Sequence, residues 1–565
     1  MCGLFGTTDA GLPGAKFIEA AKLANQYRGP DETTVRTLPL SKGSIILGHT
    51  RLIITGNNQR GAQPCVSPGN RYMVYNGEIF NFENVKVDGL SDTEVLFNKF
   101  ATDVDVKSIN DLNGFFAIAL VCPNTNRVFL IRDRFGEKPL YYLLKDNKLY
   151  FSSSILPLAG LCELSDMKEA SELSGGGILI DEQSPYGNIK QVKPGCCVIY
   201  QEGNLSEVNW YQPQNIDLSN ISFRDAVNQY ENLLIDAVRI RVKDQNKIAI
   251  ALSAGLDSTL VADTIHKFTD VKAEAYILAT SDKRFNEYNA ALNIACKIGI
   301  SLHPILEREH AIQDVYRCLN VLEVPSFNFS FIGYDYFYSE IASKGVRVIL
   351  EGHGPDEYMG GYGAMHRDYL AGQILTLHFR NFYQGLIKHC LKFNVKKHRA
   401  IASVLKHSIK SLINGTIPSG SATNKKFFKE LSMPVVLRTF DRLSMLNGIE
   451  TRSPFMDYRL VEFGLALPDR ICFHGGESKA VIKQILKNRG FQDSDFGVKV
   501  GFTANYSKVL SSLARDMNFY NKNISEESSR FKLHKISYKI ANEICKQRLH
   551  ETNLQQEIGS FKLSN

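Results

Sequence analysis

The stretch Ile248-Ala249-Ile250-Ala251-Leu252-Ser253-Ala254-Gly255-Leu256-Asp257-Ser258 decides how the larger half of this 565-residue chain reads. Five apolar residues in a row suit a strand buried on both faces, as in a parallel sheet. Small residues follow, and 259–266 then carries helical periodicity. A strand that runs through a small-residue loop into a helix start aims free backbone N–H groups and the helix dipole at one point. That arrangement favours a phosphate. A tight turn without a ligand fits the same letters.

Outward from this stretch, strands and helices alternate. Before it, Phe223, Val227, Tyr230, Leu233, Leu234 and Val238 recur at helical spacing. After it, 273–278 reads as a strand, 286–297 as a helix and 346–350 as a strand, which predicts a parallel sheet with helices on both faces. Residues 365–412 read as helical and 414–423 as a loop. Upstream, 1–205 is β-rich, with short apolar runs at 44–47, 72–75, 115–122, 128–131, 140–144 and 198–200. Turn signals such as Pro68-Gly69-Asn70 and Pro194-Gly195 separate the runs, and helices are expected at 15–26 and 92–100. The expected division is 1–205, 220–515 and a polar, helical extension at 516–565.

Composition excludes several classes. At 44% hydrophobic and 22% charged the chain is globular, not fibrous or disordered. The longest apolar run, Phe115 to Cys122, is strand-sized, so no membrane span is expected. The 11 cysteines are odd in number and include no Cys-x-x-Cys pair, against a disulfide framework or a zinc site. A reducing, cytoplasmic compartment is the expectation. Net charge is +7, yet Arg380 to Glu430 alone holds eleven Lys or Arg and one acid. Such a run reads first as a solvated helical face, and second as a docking surface for an anionic acceptor, a polyanion or a membrane surface.

The other end of the chain opens Met1-Cys2-Gly3-Leu4-Phe5-Gly6. Removal of Met1 would give Cys2 both a thiol and a free α-amine, a nucleophile with its own base. A lone Cys2 would mean little. It is followed by Arg28-Gly29-Pro30-Asp31, Gly48-His49-Thr50-Arg51-Leu52, Tyr75-Asn76-Gly77-Glu78-Ile79-Phe80-Asn81, Ser91-Asp92-Thr93-Glu94 and Arg132-Asp133-Arg134-Phe135-Gly136-Glu137-Lys138-Pro139. In that order and spacing, residues 1–155 resemble the class II glutamine amidotransferases, which are N-terminal-nucleophile hydrolases. The resemblance implies Cys2 as nucleophile, with Asn76 and the Gly77 N–H as oxyanion donors. It implies Arg51 on the α-carboxylate of glutamine, and Asp92 with Glu78 on its α-ammonium.

Ser253–Ser258 resembles the ATP-pyrophosphatase loop of asparagine synthetases, with Ala254 where the family usually has glycine. Glu351-Gly352-His353-Gly354-Pro355-Asp356-Glu357 resembles their second loop, with Glu351 for the usual serine and His353 for the usual glutamate. Asp441-Arg442-Leu443-Ser444-Met445, Glu450-Thr451-Arg452-Ser453-Pro454-Phe455 and Lys479 extend the likeness. The implied fold is α/β and α+β in two domains: an N-terminal-nucleophile hydrolase β-sandwich covered by helices, then a parallel-sheet ATP-pyrophosphatase domain. The implied ATP site is Leu252, Ser253, Ala254, Gly255, Leu256, Asp257, Ser258, Glu351 and Gly352. Asp257 and Asp356 would hold Mg²⁺, with Lys479 against the phosphates and His353 as a base near the acceptor.

The implied reaction frees ammonia from glutamine at Cys2 and uses ATP to adenylate a carboxylate, L-aspartate by default, which ammonia then converts to an amide. The alternative acceptor is another carboxylate, such as a sugar uronic acid or a natural-product or glycan precursor. The His353 exchange and the aromatic run Phe327, Phe329, Phe331, Tyr334, Tyr336, Phe337 and Tyr338 motivate it, although core packing explains the same run. A non-catalytic scaffold is the third reading. The implied partners are L-glutamine, ATP and the acceptor. No nucleic acid is expected, and a homodimer is compatible with this set.

Overall fold

The computed structural model describes residues 2–54, 61–66, 71–81, 91–100, 106–162, 184, 188–214, 216–243, 245, 247–280, 286–324 and 330–497. The expected 516–565 extension, the Pro68-Gly69-Asn70 turn, Phe327 and Phe329 lie outside them.

The N-terminal half stacks two antiparallel sheets. One runs Lys190–Gln191, Tyr141–Lys145, Lys148–Ser152, Cys2–Thr7, Ser44–Arg51, Glu32–Pro39; the other runs Asn204–Asn209, Cys196–Gln201, Arg127–Arg132, Gly114–Cys122, Tyr72–Ile79, Cys65–Val66. The strand Gly114–Cys122 shows how the layers form. Ala117, Ala119 and Val121 point between the sheets, against Leu4, Val74 and Leu130. Phe116, Ile118 and Leu120 point the other way, into a second core with Leu96, Phe97 and Trp210. The helix Asp92–Lys99 covers that outer face. Phe5, on the opposite side of its strand from Leu4, packs on the helix Leu12–Asn25 with Phe17 and Ile18. The order helix, sheet, sheet, helix follows from strands whose two faces are both apolar.

The C-terminal half holds a five-stranded, fully parallel sheet in the order Leu302–Leu306, Ala273–Ala279, Ile248–Ala251, Val348–Leu350, Glu450–Arg452. From Ile248–Ala251 the chain builds outward to one side, then returns to add the other. The Ser253 loop and the Glu351 loop leave neighbouring strands at that reversal, where open parallel sheets bind ligands.

The fold class is as the sequence implied, but several elements were not foreseen: Cys2–Thr7, Glu32–Pro39, Lys148–Ser152, Leu302–Leu306 and Glu450–Arg452. The loop expected at 414–423 ends early, because a helix starts at Gly420 and runs to Lys426. The cause is tertiary: Asp469 accepts the Gly420 and Ser421 N–H groups at 3.1 and 2.7 Å, and Ser419 caps the turn.

The halves meet through buried carboxylates. Asp441 takes Arg28 at 2.8 Å and Lys138 at 2.9 Å. Asp457 accepts Asn113 Nδ2 at 2.9 Å and Arg241 Nη1 at 3.0 Å. Glu462 accepts the Tyr211 hydroxyl at 2.8 Å. Glu323 accepts the Ile155 N–H at 3.0 Å and pairs with Arg442 at 3.1 Å. Burial pushes Asp441 up, but Arg28 and Lys138 hold it below the usual carboxylate range.

Candidate active sites

Cys2 begins an interior strand in register with Arg51, and is buried. Its N–H donates to Asn76 Oδ1 at 3.0 Å, and its carbonyl accepts Arg28 Nε at 3.2 Å. Asn76 is fully buried, and its Nδ2 has no hydrogen-bond partner among the described residues. A buried amide donor left without a partner is costly unless a ligand accepts it. Gly77 follows in the same strand. A Cβ there would sit 2.1 Å from the Phe115 carbonyl oxygen, so only glycine fits against the neighbouring strand.

Burial would raise the Cys2 thiol, yet the nearby His49 charge and hydrogen bond bring it down to about 6. His49 stands on the adjoining strand Ser44–Arg51, with Nε2 3.1 Å from the Tyr75 carbonyl. His49 lies within the Gly48–Leu52 motif, whose sequence alone gives it no role. Arg51 is buried, 3.4 Å from Glu32.

Two carboxylates face each other beyond Asn76. Burial and the Asp92 charge push Glu78 up to about 8, partly offset by Arg452 at 3.7 Å. Asp92 is raised by burial although the Tyr75 hydroxyl donates to it at 3.0 Å. Asp92 opens a helix capped by a Ser91/Glu94 box. Two acids raised by burial, Glu78 also by the Asp92 charge, would be relieved by a cation placed between them. Arg452 comes from the other domain, where it is fully buried and paired with Glu450 at 2.5 Å.

In the second domain a cavity of about 260 Å³ is lined by Ser253, Gly255, Asp257, Ser258, Glu351, Gly352, His353 and Asp356. Gly255 caps the helix Leu256–Phe268. Ser253 and Ser258 bond each other across the loop at 2.9 Å. Ala254 and Leu256 do not line this cavity. Ala254 lies in the apolar core, so its methyl does not intrude on the loop. Gly352 is where the two loops touch: a Cβ would lie 2.7 Å from the Ser258 nitrogen.

Lys479 bridges Asp257 at 2.5 Å and Asp356 at 2.6 Å. Its backbone is left-handed, φ 53°, a strained state for a non-glycine residue that recurs at functional positions. Asp257 Oδ1 is buried with no hydrogen-bond partner among the described residues. Two carboxylates that converge on one amine, with an unfilled acceptor oxygen, fit a divalent cation shared with phosphate oxygens. Lys392 belongs to no motif and sits within the basic run of 380–430. The residue is exposed, yet its amine donates to the Gly361 carbonyl at 3.2 Å, and enclosure and the Lys479 charge push it down to about 7.

His353 stacks on Phe440 with ring centroids 5.0 Å apart, and Nδ1 lies 3.3 Å from Glu351 Oε2. Glu351 accepts the Tyr338 hydroxyl at 2.7 Å. Of the aromatic run, Phe331 and Tyr338 are core, while Tyr334 and Phe337 also line the cavity. A larger cavity, about 570 Å³, opens between the domains beside Arg132, Tyr141 and Arg438, but neither Cys2 nor the two loops line it.

This pairing of centres matches known families. A model described as a glutamine amidotransferase domain matches residues 1–211, and one described as asparagine synthase matches residues 229–494. The chain belongs to the glutamine-hydrolysing asparagine synthetase family. A putative member from Methanocaldococcus jannaschii, numbered 2, is 27% identical over 395 residues, 64% of this chain and 76% of the relative. Asparagine synthetase 3 of Bacillus subtilis is 24% identical over 498 residues, covering 81% of this chain and 79% of the relative. Asparagine synthetase 2 of the same bacterium is 25% identical over 543 residues, 86% and 70% of the two chains.

Proposed function

We propose that this ligase forms C–N bonds by hydrolysing glutamine at Cys2 and passing the ammonia to a carboxylate activated by ATP at the Ser253 and Glu351 loops, with L-aspartate as acceptor. The observation that carries the reading is the unpartnered Asn76 Nδ2 beside the buried Cys2, on the same chain as a cavity lined by the Ser253 and Glu351 loops.

The Cys2 sulfur attacks the side-chain carbonyl of glutamine. Asn76 Nδ2 and the Gly77 N–H receive the oxyanion. The α-amine freed by Met1 removal passes a proton to the departing ammonia, and water then hydrolyses the thioester. Arg51 holds the α-carboxylate; Glu78 and Asp92 hold the α-ammonium. In the second domain an acceptor carboxylate oxygen attacks the α-phosphorus of ATP, and pyrophosphate leaves. Ammonia attacks the acyl-adenylate carbonyl, and AMP leaves. Asp257 and Asp356 would hold Mg²⁺, which supplies charge neutralisation at the phosphates. Lys479, released from the two aspartates, turns to the pyrophosphate, with Lys392 beside it. His353 accepts a proton from the attacking nitrogen, held in place by Phe440 and Glu351.

The alternative acceptor, a sugar uronic acid, rests on one feature: the Tyr334, His353 and Phe440 rings wall the cavity, and rings stack on sugars. Pyrophosphate release with ATP, Mg²⁺ and glutamine, with and without L-aspartate, tests the choice when asparagine is followed by mass. Aspartate-dependent release with matching asparagine upholds the first acceptor. Glutamine hydrolysis without it rejects aspartate, and release driven by a uronic acid upholds the second.

A further inference from the structure

Among the described residues, no helix is long and apolar enough to cross a membrane. The molecule nevertheless concentrates its exposed apolar side chains. Of 17 large hydrophobic residues exposed among those described, ten lie between Leu377 and Ile417. They are not scattered. The helices Phe379–Phe393 and Lys397–Ile413 form a hairpin joined by three residues.

On the first helix the exposed residues are Phe379, Tyr383, Ile387 and Leu391, one per turn along a single stripe. On the second they are Leu405, Ile409, Leu412 and Ile413, again on one face. Each helix already has an inward face: Leu386 and His389 on the first, Ala400, Val404, Ser408 and Ser411 on the second. A solvated helix should be polar opposite its buried face. These two are apolar on the outside as well, at exposures from 40% for Ile387 to 80% for Ile413.

The same hairpin carries the basic run. Lys388 is drawn in to Glu477, but Arg380, Lys396, Lys397, Arg399, Lys406 and Lys410 are exposed beside the apolar stripes. Lys406 and Lys410 each follow an exposed Leu405 or Ile409, so the bases border the stripe one residue step around the helix. Aliphatic stripes bordered by lysine and arginine, on helices of roughly 22 and 25 Å, match helices that lie in the plane of a bilayer surface.

We infer that the 379–413 hairpin docks the protein on an anionic lipid surface, with the two aliphatic stripes among the acyl chains and the bordering bases at the headgroups. Charge selects this occupant. A second copy would bring another face with the same exposed Arg380, Lys396, Lys397, Arg399, Lys406 and Lys410, and like charges would oppose the contact. The chain's own 501–565 segment carries ten Lys or Arg against six acids, so it is not complementary either. Nucleic acid would answer the bases but leave the leucines and isoleucines in water.

The test is flotation of the full chain with vesicles of phosphatidylcholine alone, or of equal parts phosphatidylcholine and phosphatidylglycerol. Binding to the second and not the first is expected. Lys406→Glu/Lys410→Glu should weaken it by at least tenfold, because each base near an anionic leaflet contributes roughly fivefold. Ile409→Glu/Ile413→Glu should weaken it as much, and Ile409→Ser/Ile413→Ser by less. Glutamine hydrolysis in solution should be unchanged in all three. No binding to anionic vesicles would overturn the inference. So would binding that the charge variant loses and the isoleucine variants keep, which would identify a polyanion site instead; a salt-sensitive shift of RNA would then confirm it.

Discussion

At the glutaminase centre, Asn76 Nδ2 is buried with no partner, and Glu78 and Asp92 stand close with their acidities weakened. At the two loops of the second domain the charges are instead paired across the site, Lys479 bridging Asp257 and Asp356 and Ser253 bonding Ser258, with Asp257 Oδ1 alone of that set left without a hydrogen-bond partner among the described residues. On the proposed reading, the first centre holds an unfilled donor and two weakened acids in place, so a zwitterion of the right shape would complete it with little rearrangement. The second must exchange internal pairs for ligand contacts, which suits a heavily charged ligand that brings its own cation. One chain thus uses two kinds of preparation, and each predicts a different response to mutation.

The largest expected effect is at the centre bridged by Lys479. Asp257→Asn removes one of two carboxylates proposed to hold the cation and should lower pyrophosphate release by about a thousandfold or more. Glutamine hydrolysis should remain; unchanged release would remove Asp257 from the site. At the other centre, Asn76→Ala should cost about a hundredfold to a thousandfold in glutamine kcat. A change in KM alone would mean that Asn76 binds glutamine without stabilising the oxyanion.

The seam between the centres comes next. Arg28→Met leaves the buried Asp441 with Lys138 alone and should cost about 3 kcal/mol, read as a lower urea midpoint. An equal midpoint would show that the triad does not join the domains.

Glu78, pushed up to about 8, sharpens the contrast by its sign. Its protonated form is favoured in the fold, so its contribution to stability is complete below the ordinary carboxylate range and is lost as pH rises through about 8. A bound ammonium should drive the proton off. Calorimetry in two buffers of different ionisation enthalpy should show proton release on glutamine binding at pH 7. No release would remove Glu78 from the ammonium site. The smallest effect is at His49: His49→Gln should move the midpoint of Cys2 alkylation upward from about pH 6. A midpoint that stays put would mean that another group sets the thiol.

Much of the fold was legible because period and run length carried it. The 248–252 run and its alternating neighbours announced the parallel sheet. What escaped did so for physical reasons. Glu450-Thr451-Arg452 is a buried strand of charged residues, because Glu450 and Arg452 neutralise each other and Arg452 reaches Glu78; propensity gives no hint of this. Cys2–Thr7 contains two glycines and reads as a poor strand, yet it lies between two partners that supply its ladder. The Gly420 helix depends on Asp469, 49 residues away.

At the sites, the motifs name the residues proposed to face ligands but not those that connect the two domains. Arg28, Lys138, Asp441 and Arg452 were all in quoted motifs, and their meaning appears only where the two domains touch. Lys392 was hidden in the basic run, most of which faces outward.

The most direct test is Cys2→Ala, assayed side by side with glutamine and with ammonium as nitrogen donor while pyrophosphate and amide product are measured. Two centres on one chain predict that glutamine-driven amide formation vanishes and ammonium-driven formation persists near the parent rate. Equal loss with both donors, or retention with both, would contradict the assignment of ammonia release to Cys2 and of its use to the second domain.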